Sequence, residues 1–340
     1  MPLPALRPDL AELGERAAEF ARASRSENTR RAYQSDWSDF EQWCTAAGLT
    51  ALPAAPATLG AYLADRASTL KAATLARRVA AITSVHRLQG LGFDAQHPAI
   101  ASVLAGIRRR YGTHQDAKRA ILTEDLRRIV RALPSSPSGI RDRALLLIGF
   151  AGAFRRSELV ALNRADVAIT SSGVTLTIRH SKTDQEGRGR ELGIPRSKRS
   201  ATCPVAALEA WLDLSPVIPC AECGSAPYNG TPADPALSQK ARTQRTEVGE
   251  QPVFTGEHRH RLSDRAVARI VKRAAARVGI DPAQVAGHSL RSGFATSAAR
   301  GGADLSAIMQ QTGHKSADIA QRYVQRGNLL KNPASKAVKL

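Results

Sequence analysis

Three short segments in the second half of the chain carry side chains suited to chemistry on a phosphodiester. GAFRRSELVAL contains Arg155, HSLR contains His288 and Arg291, and TGHKSADIAQRY contains His314 and Tyr323. An arginine fork donates two parallel hydrogen bonds to phosphate oxygens and stabilises the charge that grows as a nucleophile adds. A tyrosine oxygen can attack the phosphorus covalently, while histidine or lysine moves the protons. Together these residue types indicate phosphoryl transfer without a metal.

A proton donor for the leaving oxygen is predicted in a β-hairpin. Residues 174–178 alternate between apolar and polar side chains, a Gly-rich polar stretch follows, and residues 192–194 return as a second strand. Lys182 lies where the first strand enters the turn, within the segment SKTDQEG. Lys198 and Arg179 are near it in sequence and remain alternatives. The position at the turn favours Lys182.

Periodicity predicts two units, with all of these residues in the larger one. Residues 1–110 show apolar positions at helical spacing only, and the polar stretch 111–120 is interpreted as a linker. Residues 121–340 combine helices with the hairpin, and 215–252, rich in Pro, Gly, Ser and Thr, is interpreted as a flexible insertion. The predicted fold class is mostly α: a helical first unit and a mainly α second unit with a small antiparallel sheet.

The charge balance predicts a polyanionic partner. The chain has 49 Lys and Arg against 30 Asp and Glu, a net charge of +19, and a pI of about 10.7. No apolar run reaches the roughly 18 residues that a membrane span needs. The first residues lack the basic and apolar regions of a signal peptide. We therefore expect a cytoplasmic protein of a prokaryotic cell that contacts the nucleoid, without a membrane partner.

The four cysteines do not predict a metal site. Cys220 and Cys223 have the CxxC spacing of zinc ligands, but a structural zinc site needs about four ligands and a second pair is missing. Cys203 with a nearby histidine remains an alternative of atypical spacing. We expect thiols in a reducing compartment and no bound metal.

The motifs GAFRRSELVAL, HSLRSGFATSAARGGADLSAIMQQTGH and RYV resemble those of the tyrosine recombinases, or phage integrase family. The resemblance implies that Tyr323 attacks the scissile phosphate to give a 3′-phosphotyrosine and a free 5′-hydroxyl. It implies that Arg155 and Arg291 bind the non-bridging oxygens and that Lys182 protonates the leaving 5′-oxygen. No cofactor is implied, because the phosphotyrosine keeps the bond energy for rejoining.

Three further residues receive roles from the same resemblance. His288 and His314 are implied to hydrogen-bond the phosphate or the nucleophile, and His288 is the usual candidate base. Glu158 matches an acidic position that supports the preceding arginine. Each of these residues also has an ordinary structural interpretation, such as an ion pair between Arg155 and Glu158. Six catalytic candidates in the right order and context favour the catalytic interpretation.

The resemblance also implies partners and an architecture. The first unit corresponds to a SAM-like core-binding domain and the second to a catalytic domain, and the two are expected to close as a C-shaped clamp on double-stranded DNA with a specific core site. Four protomers would exchange two duplexes through a Holliday junction, with accessory DNA-bending proteins as further candidate partners. The C-terminal tail NLLKNPASKAVKL is a candidate for docking onto a neighbouring protomer.

Basic side chains on predicted helices are candidates for DNA contacts. They are Arg77, Arg78, His86, Arg108, Arg109, Arg110, Arg265, Arg269, Lys272 and Arg273. Contacts of this kind to phosphates position a protein without reading sequence. The alternative for each is a solvated helix face.

Two other functions remain open at this point. A type IB topoisomerase shares the chemistry but relaxes supercoiled DNA as a monomer without a target site. An architectural or regulatory DNA-binding protein would keep the basic surfaces and have an inactive site. The separate helical first unit and the complete set of six candidates favour a site-specific recombinase, acting in integration, resolution or inversion.

Overall fold

The computed structural model describes residues 8–113, 118–181, 184, 189–215, 250–256 and 260–328. The chain divides into two units, Met1–Asp116 and Ala117–Leu340, and the dividing point falls within the stretch 111–120. The helices of the first unit are α1 Pro8–Ala23, α2 Glu27–Ala46, α3 Pro56–Arg66, α4 Ala72–Leu88 and α5 Pro98–Tyr111.

The first unit is organised by the apolar spacing of its helices. Helix α2 begins after Ser26, whose side chain accepts a hydrogen bond from the Thr29 amide, as an N-cap does. Its Phe40 and Cys44, four residues apart, are completely buried against side chains of α3, α4 and α5. Gly48, at φ 65°, ends the turn that follows α2.

The second unit surrounds a larger core. Its helices are α6 Thr123–Arg131, α7 Pro137–Ala151, α8 Arg156–Ala161, α9 Pro204–Leu214, α10 Asp264–Ala276, α11 His288–Arg300, α12 Leu305–Thr312 and α13 Ala317–Asn328. Helix α7 lies at the centre, since every residue from Ala144 to Phe150 is buried.

A three-stranded antiparallel sheet completes the second unit. Its strands are β1 Val167–Ile169, β2 Gly173–Ile178 and β3 Arg190–Pro195, in the order β1-β2-β3. The predicted hairpin is confirmed, and Leu176 pairs with Leu192 in its register. Strand β1 is an addition to the prediction, because three residues are too few to show an alternating pattern.

Several expectations from the sequence concern segments that fall partly or wholly outside the described residues. The insertion 215–252 is described only at its two ends, Cys220 and Cys223 are outside the described residues, and so is the tail after Asn328. Cys44 and Cys203 are buried free thiols. Within the ranges that the structure covers, no helix combines the length and the hydropathy needed to cross a bilayer.

Candidate active site

Arg155 is held by a buried carboxylate three residues further along the chain. It stands directly before α8, and its backbone N–H donates to Oε2 of Glu158 at 3.0 Å while its Nη1 donates to Oε1 at 2.5 Å. Glu158 is 2% exposed, so its charge has to be balanced by cations inside the protein. The two bonds fix both the start of α8 and the direction of the guanidinium group.

Arg291 is a buried guanidinium with unused donors. It lies on α11, is 1% exposed, and its Nη1 donates to the carbonyl oxygen of Ala153 at 2.7 Å. Its Nε and Nη2 are buried and have no hydrogen-bond partner among the described residues. Burial, followed by repulsion from Arg155, lowers the pKa of Arg291 to about 10. Two buried donors on a charged group make this the strongest anion-binding feature of the site.

The backbone that receives Arg291 adopts an uncommon conformation. Ala153 has φ 48°, in the left-handed region that residues with a Cβ avoid. This turn carries the chain from α7 into α8, and its carbonyl oxygen is the acceptor for Arg291. The turn therefore connects the two arginines. The carbonyl oxygen of Ala153 binds Arg291, and Arg155 follows Ala153 by two residues in the chain.

His288 and Tyr323 meet although 35 residues separate them in the chain. His288 begins α11, Tyr323 lies on α13, and His288 Nε2 is 3.2 Å from the Tyr323 Oη. The two helices approach closely, since a Cβ on Gly327 would lie 2.9 Å from the Cβ of Ala299. His288 keeps exposed surface, but desolvation of its ring, and then repulsion from Arg291, lowers its pKa. A neutral imidazole at this distance can accept the tyrosine proton.

His314 also contacts the tyrosine, through its ring. It follows Gly313, which ends α12 at φ 64°, and its ring stacks on that of Tyr323 with centroids 5.9 Å apart and 15° between the planes. Its Nδ1 is 2.9 Å from the Oγ1 of Thr312. Burial, and then the charge of Arg291, lowers the pKa of His314 to about 4. The ring is therefore neutral near pH 7.

The hydrogen bonds of Thr312 are coupled to the tautomer of His314. The Thr312 hydroxyl oxygen lies 2.7 Å from the carbonyl oxygen of Ile308 and 2.9 Å from Nδ1 of His314. The hydroxyl has one hydrogen: given to the carbonyl, it leaves the oxygen to accept from a protonated Nδ1, and given to Nδ1, it leaves Nε2 as the donor nitrogen of the neutral ring. The motif prediction did not include Thr312, whose role depends on a local side-chain bond.

Arg190 is a further cation that the motif prediction missed. It begins β3, its Nη1 donates to the carbonyl oxygens of Gln310 and Gln311 at 3.2 Å each, and its Nη2 is 3.9 Å from Oε2 of Glu158. A signal was present in the sequence. Arg190 shares the even-numbered register of Leu192 and Ile194, whose side chains are buried, and so faces inward.

Lys182 lies outside the described residues, between β2 and β3. The two alternatives on either side of it are described. Arg179 donates to the buried Asp166 at 2.6 Å, and Lys198 is exposed beyond the end of β3. Because Arg179 has a structural partner, Lys182 remains the proposed proton donor.

The structure corrects one of the predicted DNA contacts. His86 is completely buried, its Nδ1 lies 2.9 Å from the carbonyl oxygen of Ile82, and its Nε2 accepts from the Ala54 amide at 2.9 Å. A side chain with both nitrogens bonded in the core cannot reach a base, so that prediction is wrong for His86. Its helical spacing with Leu75 and Ile82 would have indicated the inward face.

The other predicted contacts have varied surroundings. Arg78 has a side chain 12% exposed and is bonded to Asp39 and Tyr62, whereas Arg77 pairs with Asp36 and stays half-exposed. Arg273 pairs with Asp142 at 2.8 Å and remains exposed. The remaining candidates are also exposed: Arg108, Arg109, Arg110, Arg265, Arg269 and Lys272. Among these, Arg78 has the least surface to offer DNA.

Comparison with known proteins agrees with this geometry. The model of the phage integrase family matches residues 119–328, and the model of the phage integrase N-terminal SAM-like domain matches residues 20–89. The chain belongs to the phage integrase family. The recognition made from the motifs is therefore confirmed, and so is its reading as an enzyme of the tyrosine recombinase type, a DNA strand-transferase of site-specific recombination.

Individual relatives in the phage integrase family are similar in sequence to this chain over most of its length. An integrase/recombinase XerD homolog of Selenomonas ruminantium is 40% identical over 317 residues, which is 92% of this chain and 85% of the relative. A tyrosine recombinase XerC of Rhodospirillum centenum is 29% identical over 332 residues, 94% of this chain and 84% of the relative.

Solved structures share the fold at low identity. A XerH site-specific recombinase bound to a palindromic difH substrate superposes with a TM-score of 0.59 at 15% identity, over 84% of this chain and 72% of that one. A Tn1549 transposon integrase bound to transposon right-end DNA superposes with a TM-score of 0.55 at 12% identity, over 89% of this chain and 91% of that one. The predicted mostly α fold with a small antiparallel sheet is confirmed.

Proposed function

We propose that this recombinase cleaves and rejoins DNA through a covalent link between Tyr323 and a 3′-phosphate. The observation that carries the proposal is the position of the Tyr323 hydroxyl, 3.2 Å from the neutral imidazole of His288. The same site holds the unused donors of Arg291 and the fixed guanidinium of Arg155. A nucleophile, a base and two phosphate ligands are thus contributed by distant segments of one chain.

The proposed step conserves atoms and charge. The Tyr323 oxygen forms a bond to phosphorus as its proton passes to His288, and the bond from phosphorus to the 5′-oxygen breaks. Arg155 and Arg291 bind the non-bridging oxygens, on which negative charge grows. Lys182 gives a proton to the leaving 5′-oxygen. The reverse reaction with a 5′-hydroxyl from another strand rejoins the DNA, so no cofactor is required.

The proposed partners follow from the relatives and the charge. The XerH and Tn1549 structures contain DNA, and this chain carries a net charge of +19. We propose double-stranded DNA with a specific core site as substrate, bound by both units, and a homotetramer that exchanges strands through a Holliday junction. Accessory DNA-bending proteins are included in the proposal, as is action at the nucleoid of a bacterial cell.

The first test is covalent capture of DNA. The protein is incubated with a pool of nicked duplexes that tile the DNA flanking its gene, together with duplexes of random core sequence. Adducts are recovered under denaturing conditions and sequenced. We expect wild-type protein and Tyr111→Phe, a change to an exposed tyrosine outside the site, to form adducts on the same sequences. Tyr323→Phe is expected to form none.

Each contrary result has a definite meaning. Adducts that persist in Tyr323→Phe would show that another residue is the nucleophile. DNA binding by wild-type protein without any adduct would favour an architectural protein. Relaxation of supercoiled plasmid at random positions would favour a type IB topoisomerase. Plasmids that carry two copies of the recovered site then distinguish integration, resolution and inversion.

A further inference from the structure

The end of α12 is held in place by a residue of the sheet. Arg190 Nη1 donates to the carbonyl oxygens of Gln310 and Gln311, two of the last three residues of the helix. These carbonyls lack helical partners and carry the negative end of the helix dipole, which a guanidinium group stabilises. Strand β3 therefore anchors the helix end from which His314 follows.

The guanidinium of Arg190 also lies against the residue that turns the chain into the site. Gly313 has φ 64°, and a Cβ placed there would lie 3.1 Å from both Cζ and Nε of Arg190. The close approach requires a glycine on one side and the flat face of a guanidinium on the other. Because His314 follows Gly313 directly, the direction of its ring depends on this contact.

Arg190 reaches the other half of the site through Glu158. Its Nη2 is buried, lies 3.9 Å from Oε2 of Glu158, and has no hydrogen-bond partner among the described residues. The same carboxylate binds Arg155 through its other oxygen. Arg190 thus spans the distance between the carboxylate that orients one phosphate ligand and the helix end that presents His314.

The pKa shifts of Arg190 and its neighbours agree with its position between Glu158 and the end of α12. Burial, the largest cause, and repulsion from Arg155 lower the pKa of Arg190, while Glu158 opposes them. The charge of Arg190 in turn contributes to the lowered pKa values of Arg291 and His314. Removing that charge should let His314 bind a proton at a higher pH than it does in the wild type.

We propose that Arg190 is a positioning residue for strand cleavage: it holds the α12 end, and with it His314, in register with the Glu158–Arg155 pair. The inference rests on the function proposed above. It adds to the six motif residues a seventh residue, Arg190, that strand cleavage requires. The arrangement needs both the charge and the fork, because one nitrogen serves two carbonyls while the other faces the carboxylate.

The test compares Arg190→Gln with Arg196→Gln. Arg196 follows the same strand, is exposed, and pairs with Glu209 on α9, away from the site. Single-turnover cleavage is measured on a duplex recovered from the capture experiment, with the protein in excess. We expect Arg190→Gln to reduce the cleavage rate at least tenfold while the Kd for the same duplex changes less than twofold. Arg196→Gln should match the wild type in both.

Two further readouts separate positioning from simple loss of folding. Arg190→Lys keeps the charge without the fork, and we expect it to restore the protonation pH of His314, followed by NMR of labelled histidine, but not the cleavage rate. Gly313→Ala, which pushes on the guanidinium, should reduce cleavage with Arg190 still present. The proposed function is tested separately from these variants, by the covalent adduct between DNA and Tyr323 of the wild-type protein.

Either of two outcomes would overturn the inference. One is a cleavage rate for Arg190→Gln within twofold of the wild type. The other is a loss of cleavage in Arg190→Gln that is matched by an equal loss of DNA affinity and by an unchanged protonation pH of His314. The first would make Arg190 dispensable, and the second would make it a general structural or DNA-binding residue.

Discussion

The hydroxyl of Thr312 is coupled to the role that the Nε2 nitrogen of His314 can play toward a phosphate. A hydroxyl that donates to the Ile308 carbonyl pairs with Nδ1–H and leaves a lone pair on Nε2, whereas a hydroxyl that donates to Nδ1 leaves Nε2–H as a donor. Phosphate oxygens accept hydrogen bonds, so bound DNA would favour the arrangement in which Nε2 is the donor.

Replacement of Thr312 tests that arrangement. Thr312→Val keeps the shape but removes the hydrogen-bond partner of His314 Nδ1, which leaves a polar group in a poorly solvated place at a cost of about 1–3 kcal/mol. We expect cleavage to slow roughly tenfold or more if this energy appears in the transition state. Thr312→Ser keeps the hydroxyl and should retain most of the activity in the same single-turnover assay. Equal rates for the two variants would contradict the role of the hydroxyl.

Single residues also show what could be predicted from the sequence. Arg155, His288, Arg291, His314 and Tyr323 were predicted as site residues because motif order is visible in one dimension, and the structure brings their side chains together. Arg190 and Thr312 were missed, because their roles depend on contacts with a helix end or with a backbone carbonyl. His86 was misplaced, since a basic residue on a helix was interpreted by its charge and not by its register with the apolar stripe.

Among the elements, α11 carries the largest share of the site. It presents His288 and Arg291 within its first turn, and it packs without a gap against the segment that precedes α6. A Cβ on Gly293 would lie 1.8 Å from the carbonyl oxygen of Ile121, and the Ile121 amide donates to Ser289 at 3.0 Å. The position of two candidate active-site residues therefore depends on a glycine that has no part in the proposed chemistry.

Gly293→Ala should destabilise the second unit. The added methyl group has to displace backbone, and overpacking of this kind costs about 1–3 kcal/mol. Gly106→Ala is the matched control, because that helical glycine has no atom near its missing Cβ and alanine should stabilise α5 by up to about 1 kcal/mol. Denaturant unfolding followed by circular dichroism measures both. An unfolding midpoint for Gly293→Ala equal to that of the wild type would mean that α11 shifts without cost.

The prediction of elements followed from periodicity where the periodicity was long enough. The apolar positions of residues 1–110 repeat at helical spacing and those of the β2–β3 hairpin alternate, and both regions were predicted with the correct type. Strand β1 has three residues and no visible pattern, and its pairing with β2 depends on the fold around it. The left-handed Ala153 could not be foreseen, because alanine gives no sign of that conformation.

At the scale of the whole molecule, the net charge of +19 predicts that affinity for DNA weakens as salt increases. Each phosphate contact releases counterions, so the logarithm of the binding constant falls linearly with the logarithm of salt concentration, with a slope set by the number of contacts. The exposed face of α10 carries four of the candidates for such contacts. Its basic residues are Arg265, Arg269, Lys272 and Arg273.

Neutralising that face tests whether it contacts DNA. We expect Arg269→Gln to weaken binding on all sequences alike and to reduce the salt slope by about 1. Arg196→Gln serves as the control for an exposed arginine in an ion pair. Binding is measured by fluorescence anisotropy from low to physiological salt. An unchanged slope would assign this face of α10 to solvent.

The buried cations of the candidate active site link the stability of the free protein to its affinity for an anionic substrate. Arg155 and Arg190 share the carboxylate of Glu158, and both repel the buried Arg291. Donors of Arg190 and Arg291 have no hydrogen-bond partner among the described residues. Mutual repulsion among them opposes folding until an anion is bound, and an anion that binds only the native state returns that free energy as stabilisation. Selection for thermal stability in the absence of DNA would therefore favour the loss of these charges, and an evolved variant that gained heat resistance in this way would bind its substrate less tightly.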